Sequence, residues 1–167
     1  APSINLSGID FTIKNNQILF GLSAIKNLGD SAIRNIIENR NNFGYFNSLS
    51  DLCDRLPSNV LNKRSIESLI HCGALDEFSN NKNRAQLLSD LEHVMEWASS
   101  RNRDRLSGQG NLFDSKEEYS NVTFSPSQSA IVEDYSLIEK LKLEKQLLGF
   151  YLSDHPLKHL TKPAKLV

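Results

Sequence analysis

Between Leu22 and Ile33 the chain reads Leu-Ser-Ala-Ile-Lys-Asn-Leu-Gly-Asp-Ser-Ala-Ile, with apolar residues at helical spacing on either side of Asn27-Leu28-Gly29. Gly tolerates left-handed or otherwise permissive backbone, and Asn is its best substitute, so the tripeptide predicts a tight hairpin between two short helices. Such a hairpin turns its own backbone N–H groups, and those of the next helix's first turn, outward. With the helix dipole they can hold a phosphate oxygen of a nucleic acid without reading its sequence. Lys26 adds a positive charge, Leu28 is expected to plug inward and fix the angle between the helices, and Asn27, Gly29 and Ser31 complete the candidate contacts. Asp30 puts a negative charge beside them. The same residues also fit a helical corner packed for stability alone.

A second constellation is Gly108-Gln109-Gly110-Asn111-Leu112-Phe113-Asp114. Two adjacent large apolar residues in a polar stretch call for an apolar pocket, either on this protein, where they would pin the strand to its own core, or on a partner. Other features carry plainer readings. The corner around Leu69-Ile70-His71-Cys72-Gly73-Ala74-Leu75-Asp76, near Lys63-Arg64, reads as a degenerate copy packed against the first. His71 reads as a helix-end residue that meets the dipole. Arg101-Asn102-Arg103-Asp104-Arg105 reads as the solvated end of a long helix, Trp97 as a cover at the core edge, and His155-Pro156 as a turn. The sequence has no Asp-x-Asp pair of the kind that holds two metals for nucleotidyl transfer, no Gly-rich phosphate loop with Lys, and no Ser or Cys nucleophile with a spaced His. No catalytic residue and no metal ligand is assigned, and the chain is expected to catalyse nothing by itself.

The elements that must position these groups follow from periodicity and caps. Ile9, Phe11 and Ile13 alternate, Asn15-Asn16 is a turn dipeptide, and Ile18-Leu19-Phe20 follows, which predicts a short β-hairpin. Helical spacing then places Leu22, Ile25 and Leu28 before the hairpin and Ile33, Ile36 and Ile37 after it. Ser48, with Asp51 closing a capping box, starts a helix that stops before Pro57; Asn62 starts another, which Gly73 ends in the left-handed conformation. The longest helix is expected from Arg84 to about Ser99, with Leu87, Leu88, Leu91, Val94, Met95 and Ala98 as one stripe. From Gly108 to about Ser136 the texture is Gly, Ser, Asn and acid, and residues 114–139 carry six acidic residues against Lys116 alone, which reads as an exposed linker. Leu137, Ile138, Leu141, Leu147 and Leu148 lie on a last helix ending at Gly149, before an apolar extended stretch through Phe150-Tyr151-Leu152 and His155-Pro156-Leu157.

With 167 residues, 39% of them apolar, the chain can bury one sizeable core or two small ones. Its 19 Lys plus Arg against 20 Asp plus Glu exclude a strongly basic nucleic-acid binder and leave only local patches. Cys53 and Cys72 stand apart with no partner pattern, so neither a disulfide framework nor a structural zinc site is expected and a reducing, cytoplasmic setting is. No apolar run approaches the roughly 18 residues needed to span a bilayer, so no membrane partner is expected. A start at Ala1-Pro2 fits a processed chain or a piece of something larger.

The segment around Asn27-Leu28-Gly29 resembles a helix-hairpin-helix motif, and Gln109 with Leu112-Phe113 resembles the short peptide by which bacterial replication proteins dock on the sliding clamp. In order and spacing the whole set resembles the bacterial replicative DNA polymerase III α-subunit family, the family C DNA polymerases. The matching runs are Pro2-Ser3-Ile4-Asn5, Ile18-Leu19-Phe20-Gly21-Leu22 with Ala24 to Gly29, Asn62-Lys63-Arg64, Gly73-Ala74-Leu75-Asp76, Gln109 with Leu112-Phe113, and Leu148 to Ser153 with His155-Pro156-Leu157. The resemblance covers roughly residues 2–160. It implies a mainly α fold: a tandem helix-hairpin-helix bundle with a short N-terminal β-hairpin and an extended C-terminal linker. It implies a lead-in from the fingers over 1–20, the tandem domain over 21–106, an acidic flexible linker with the clamp-binding peptide over 107–136, and a lead into an oligonucleotide-binding domain over 137–167. Lys26, Asn27, Leu28, Gly29 and Ser31 would face double-stranded primer–template DNA, and Gln109, Leu112 and Phe113 would enter the clamp. Other replicase subunits would be further partners of an otherwise monomeric chain. The parent would be a DNA-directed DNA polymerase, a nucleotidyltransferase using Mg in DNA replication. Its carboxylates would lie upstream, and this segment would hold no cofactor. Two rivals are a protein-interaction scaffold whose corners are purely structural and a repair-type helix-hairpin-helix protein.

Overall fold

The computed structural model describes residues 2–79, 83–106 and 132–149. The chain enters through the middle of the helical core. Ile4 is fully buried and its N–H donates to the Ala74 carbonyl at 3.1 Å. Asn5 makes a two-way bond with the Phe46 backbone, its Nδ2 donating to the carbonyl at 3.0 Å and its Oδ1 accepting from the N–H at 2.8 Å. The Arg40 guanidinium donates to the carbonyls of Ile4 and Ser7. A polar side chain buried as Asn5 is must find such partners, so these bonds fix where the chain starts against the helices.

The expected hairpin follows, with β1 (Thr12–Lys14) antiparallel to β2 (Gln17–Leu19) and Ile13 opposite Ile18. Asn15 and Asn16 both have positive φ, at 52° and 59°, the backbone of a two-residue turn whose twist matches the strands. Past a 3-10 turn at Leu22–Ala24 come α1 (Asp30–Phe43), α2 (Leu49–Arg55), α3 (Lys63–His71), a second 3-10 turn at Asp76–Phe78, α4 (Arg84–Leu106) and α5 (Leu137–Leu148). The fold is mainly α, as the sequence implies.

The Ser48 and Asn62 caps fall where the sequence puts them. Ser48 accepts from the Asp51 N–H and Asn62 from the Ser65 N–H, each satisfying a first-turn donor that has no intrahelical partner. The Asp51 carboxylate accepts from the N–H of Asn47, one residue before the cap, so the expected capping box does not close on Ser48 itself. Ser136 and Glu139 form a full capping box at the start of α5, and Gly149 ends it with φ of 80°. One apolar cluster joins Leu22, Ile33 and Ile36 to Leu52 of α2, Ile66 and Leu69 of α3 and Leu91 of α4. α2 and α3 pack on α4, and α5 packs on α3.

Three expectations need correction. The first of the two short helices is a single 3-10 turn closed by the Ile25 N–H donating to the Leu22 carbonyl, because Asn27 takes the left-handed conformation before an α-helical turn can form. α4 continues seven residues past Ser99, held there by Arg101 and Arg105 pairing with Asp54 of α2 and by Arg101 lying over the Trp97 ring. Residues 132–136, assigned to the linker, are bonded to the start of α4: Asn83 donates to the Val132 carbonyl, the Val132 N–H donates to Gln86, and the Ala85 N–H donates to Asp134. No helix among the described residues is long and apolar enough to cross a membrane.

Candidate nucleic-acid interface

The hairpin between the 3-10 turn and α1 alternates in exposure. Lys26, Asn27, Gly29 and Ser31 are exposed, while Leu28 is 8% exposed and belongs to the core cluster. Leu28 is thus the inward plug, and four of the five expected contact residues face solvent. Asn27 has φ of 67°, the left-handed backbone that Asn adopts at least cost after Gly. Gly29 departs from expectation. Its φ and ψ of −77° and 159° are extended backbone open to any residue, and a Cβ added there would meet no atom within 4 Å. Neither backbone nor interior therefore requires glycine at this position.

Gly29 is the N-cap of α1 and offers no side chain to its first turn. Its carbonyl accepts from the Ile33 N–H at 3.1 Å, but among the described residues no acceptor meets the N–H groups of Gly29, Asp30 and Ser31. Among the described residues Lys26 has no ion pair, while Asp30 is the acidic residue of the first turn. The hairpin therefore presents unbonded backbone donors at the positive end of a 14-residue helix.

The second corner has the opposite character. Gly73 has φ of 88°, and the N–H groups of Cys72, Gly73, Ala74 and Asp76 donate to Ser68, Ile70, Leu69 and Gly73, closing the end of α3 on itself. Arg84 covers it: a Cβ on Gly73 would sit 2.6 Å from the guanidinium, which bonds both oxygens of Asp76, Glu144 of α5 at 2.9 Å and the His71 carbonyl. Burial works against the Arg84 charge, and the hydrogen bonds and charges of Asp76 and Glu144 overcome it, so its pKa rises. This corner is largely consumed by internal packing: the N–H groups of Cys72, Gly73, Ala74 and Asp76 are all spent within it. The degenerate, packing role expected for it is the one it fills.

Helix α3 also reaches the first hairpin. The Ser65 hydroxyl donates to the Asn27 carbonyl at 2.8 Å, the Asn27 amide donates to the Ser68 hydroxyl at 3.3 Å, and the Lys26 N–H donates to the Leu147 carbonyl of α5 at 3.1 Å. Lys63 and Arg64 are exposed on the first turn of α3, immediately before Ser65. Sequence reasoning missed Ser65 and Ser68. Their signal was two small polar residues sharing a helix with Ile66, Leu69 and Ile70. It also missed the Arg84–Glu144 pair, whose partners lie sixty positions apart. Gln109, Leu112 and Phe113, and the stretch from Phe150 through Leu157, lie outside the described residues.

A family described as helix-hairpin-helix motif matches residues 1–87. The chain is 44% identical over 155 residues to the DNA polymerase III subunit alpha of Thermus aquaticus, an alignment that takes in 93% of this chain and 12% of that protein. It is 42% identical over 159 residues to that of Deinococcus radiodurans, covering 93% and 11%. Against the subunit of Bacillus subtilis it is 35% identical over 166 residues, covering 96% and 14%. The chain spans about an eighth of the length of the curated relatives it matches.

Proposed function

Since the chain belongs to the helix-hairpin-helix family and is similar over nearly all its length to a segment of DNA polymerase III α subunits, we infer that it is a duplex-gripping, non-catalytic part of a replicative DNA polymerase. One observation carries this reading: the unbonded N–H groups of Gly29, Asp30 and Ser31, beside exposed Lys26, at the uncapped start of α1. Three donors and a helix dipole form a cradle for a phosphate oxygen, and because every nucleotide carries that group the grip is independent of sequence. Gly29 then has a reason outside the chain: a phosphate backbone can come close where a side chain would stand in its way.

The clamp-docking peptide at Gln109, Leu112 and Phe113 supplies the second contact, with Leu112 and Phe113 in an apolar pocket of the ring and the Gln109 amide hydrogen-bonded beside them. Two weak contacts on one chain act together through effective concentration, so processive synthesis follows from tethering rather than from one tight site. Nucleotide transfer, with its metal-binding carboxylates, is the work of the longer polypeptide.

The test is fluorescence anisotropy of a labelled primer–template duplex at several salt concentrations, with the wild-type chain beside Lys26→Glu/Gly29→Glu. A Cβ at Gly29 has open space outside its chain neighbours, and circular dichroism of the double variant checks that it is folded. Binding that weakens with salt and is lost in the variant is the expected result. Binding that the variant retains moves the contact elsewhere, and no binding at low salt leaves the scaffold reading.

A further inference from the structure

The free donors of the hairpin are useful only if its backbone holds still, and the bonds that hold it come from a different corner. Asn27 is exposed and left-handed, a conformation that costs a non-glycine residue free energy unless something stabilises it. Two hydroxyls on α3 meet it. Ser65 donates to its carbonyl at 2.8 Å and Ser68 accepts from its side-chain amide at 3.3 Å. Both serines are almost fully buried, at 4% and 3% exposed, on a face they share with Ile66, Leu69 and Ile70. Their hydroxyls therefore have little access to water and are satisfied by the hairpin itself.

We propose that Ser65 and Ser68 are positioning residues for the phosphate grip: they clamp Asn27 in its left-handed conformation and thereby aim the N–H groups of Gly29, Asp30 and Ser31. This rests on the reading of the hairpin as the DNA contact and adds the device that sets its geometry. The second corner, whose turn N–H groups from Cys72 to Ala74 are bonded internally, thus serves the first through its opening helix. The clamp is local. Ser65 fixes the peptide carbonyl between Asn27 and Leu28, and Ser68 fixes the side chain of Asn27, so rotation of the peptide toward an ordinary backbone breaks both bonds together.

The experiment compares duplex affinity by anisotropy for the wild-type chain, Gly29→Glu, Ser65→Ala/Ser68→Ala, Asn27→Gly, and the triple variant that adds Asn27→Gly to the two alanines. Circular dichroism and urea midpoints establish that each is folded. Gly29→Glu loses binding. Removing both hydroxyls lowers affinity about five- to tenfold, the scale of one or two hydrogen bonds. Adding Asn27→Gly restores it, because glycine takes positive φ without help. A packing defect from two buried alanines would not be repaired by a change in an exposed turn. The inference is overturned if the double-alanine variant binds like wild type while Gly29→Glu does not, or if Asn27→Gly fails to rescue. Undiminished binding by Gly29→Glu overturns the underlying reading, and the inference with it.

Discussion

His71, the last residue of α3, has its ring 5.8 Å from that of Tyr135, and its Nδ1 is buried with no hydrogen-bond partner among the described residues. Position at a helix end invites a charge–dipole role, but the environment is against a charge. Burial lowers the imidazole pKa, with Glu67 pulling the other way and Arg84 adding to the depression. The residue is neutral in the folded chain at pH 7. An unfolded chain takes up this proton near the ordinary value of 6.5 while the folded chain does so only at lower pH, so the stability associated with neutral His71 is complete above 6.5 and is lost as pH falls toward the depressed folded value. Urea midpoints measured from pH 7.5 down to 5.5 should fall for the wild-type chain and stay closer to level for His71→Phe. Parallel profiles would show that the proton is taken up elsewhere. The helix end was legible from Gly73 two residues on; the protonation state was not, because it is set first by burial and then by charges that include Arg84, thirteen positions away.

At the scale of elements, what was legible is what short-range chemistry decides. The Ser48 and Asn62 caps, the Gly73 and Gly149 stops and the Asn15-Asn16 turn each act within a few residues, and each is where the sequence places it. Less legible was anything that depends on a distant partner. The pairs of Arg101 and Arg105 with Asp54 lengthen α4, and the bonds of residues 132–136 to the start of α4 bring α5 to the bundle. The docking of α5 includes a buried ion pair: Glu144 is completely buried and Arg84 is 4% exposed. Replacing Arg84 by Met removes the guanidinium that bonds the buried Glu144 carboxylate and should cost about 3–5 kcal/mol, read as a lower urea midpoint. Arg84→Met combined with Glu144→Leu should recover part of that loss, since the buried Glu144 charge is gone while Asp76, which Arg84 also pairs, is only partly buried. If the double change is as damaging as the single, the pair is not what attaches α5.

For the molecule as a whole, the charge balance of 19 cations against 20 anions argues against long-range capture of DNA, because the chain's net field does not draw a polyanion toward it. A cradle of a few amides with Lys26, joined to exposed Lys63 and Arg64 through the Ser65 bond to Asn27, can supply only a local and salt-sensitive hold. On the proposed reading, a hold of that kind suits a polymerase that must advance one base pair at a time, provided something else prevents departure. The proposed clamp peptide is that second hold, and its contribution is separable from the first. Affinity is to be measured for three targets: bare duplex, purified clamp, and duplex carrying the clamp. Wild-type chain should bind the loaded duplex more tightly than either alone, by up to about 10²–10⁴ if one chain engages both at once. Leu112→Ala/Phe113→Ala should bring the loaded duplex down to the bare-duplex value with circular dichroism unchanged, and Lys26→Glu/Gly29→Glu should bring it down to the clamp-alone value. Additivity of the two losses would not suffice, because two independent sites on separate molecules would give that as well. The tether is established by the excess affinity of the intact chain, and an intact chain that binds loaded and bare duplex equally would leave the hairpin as a grip without a leash.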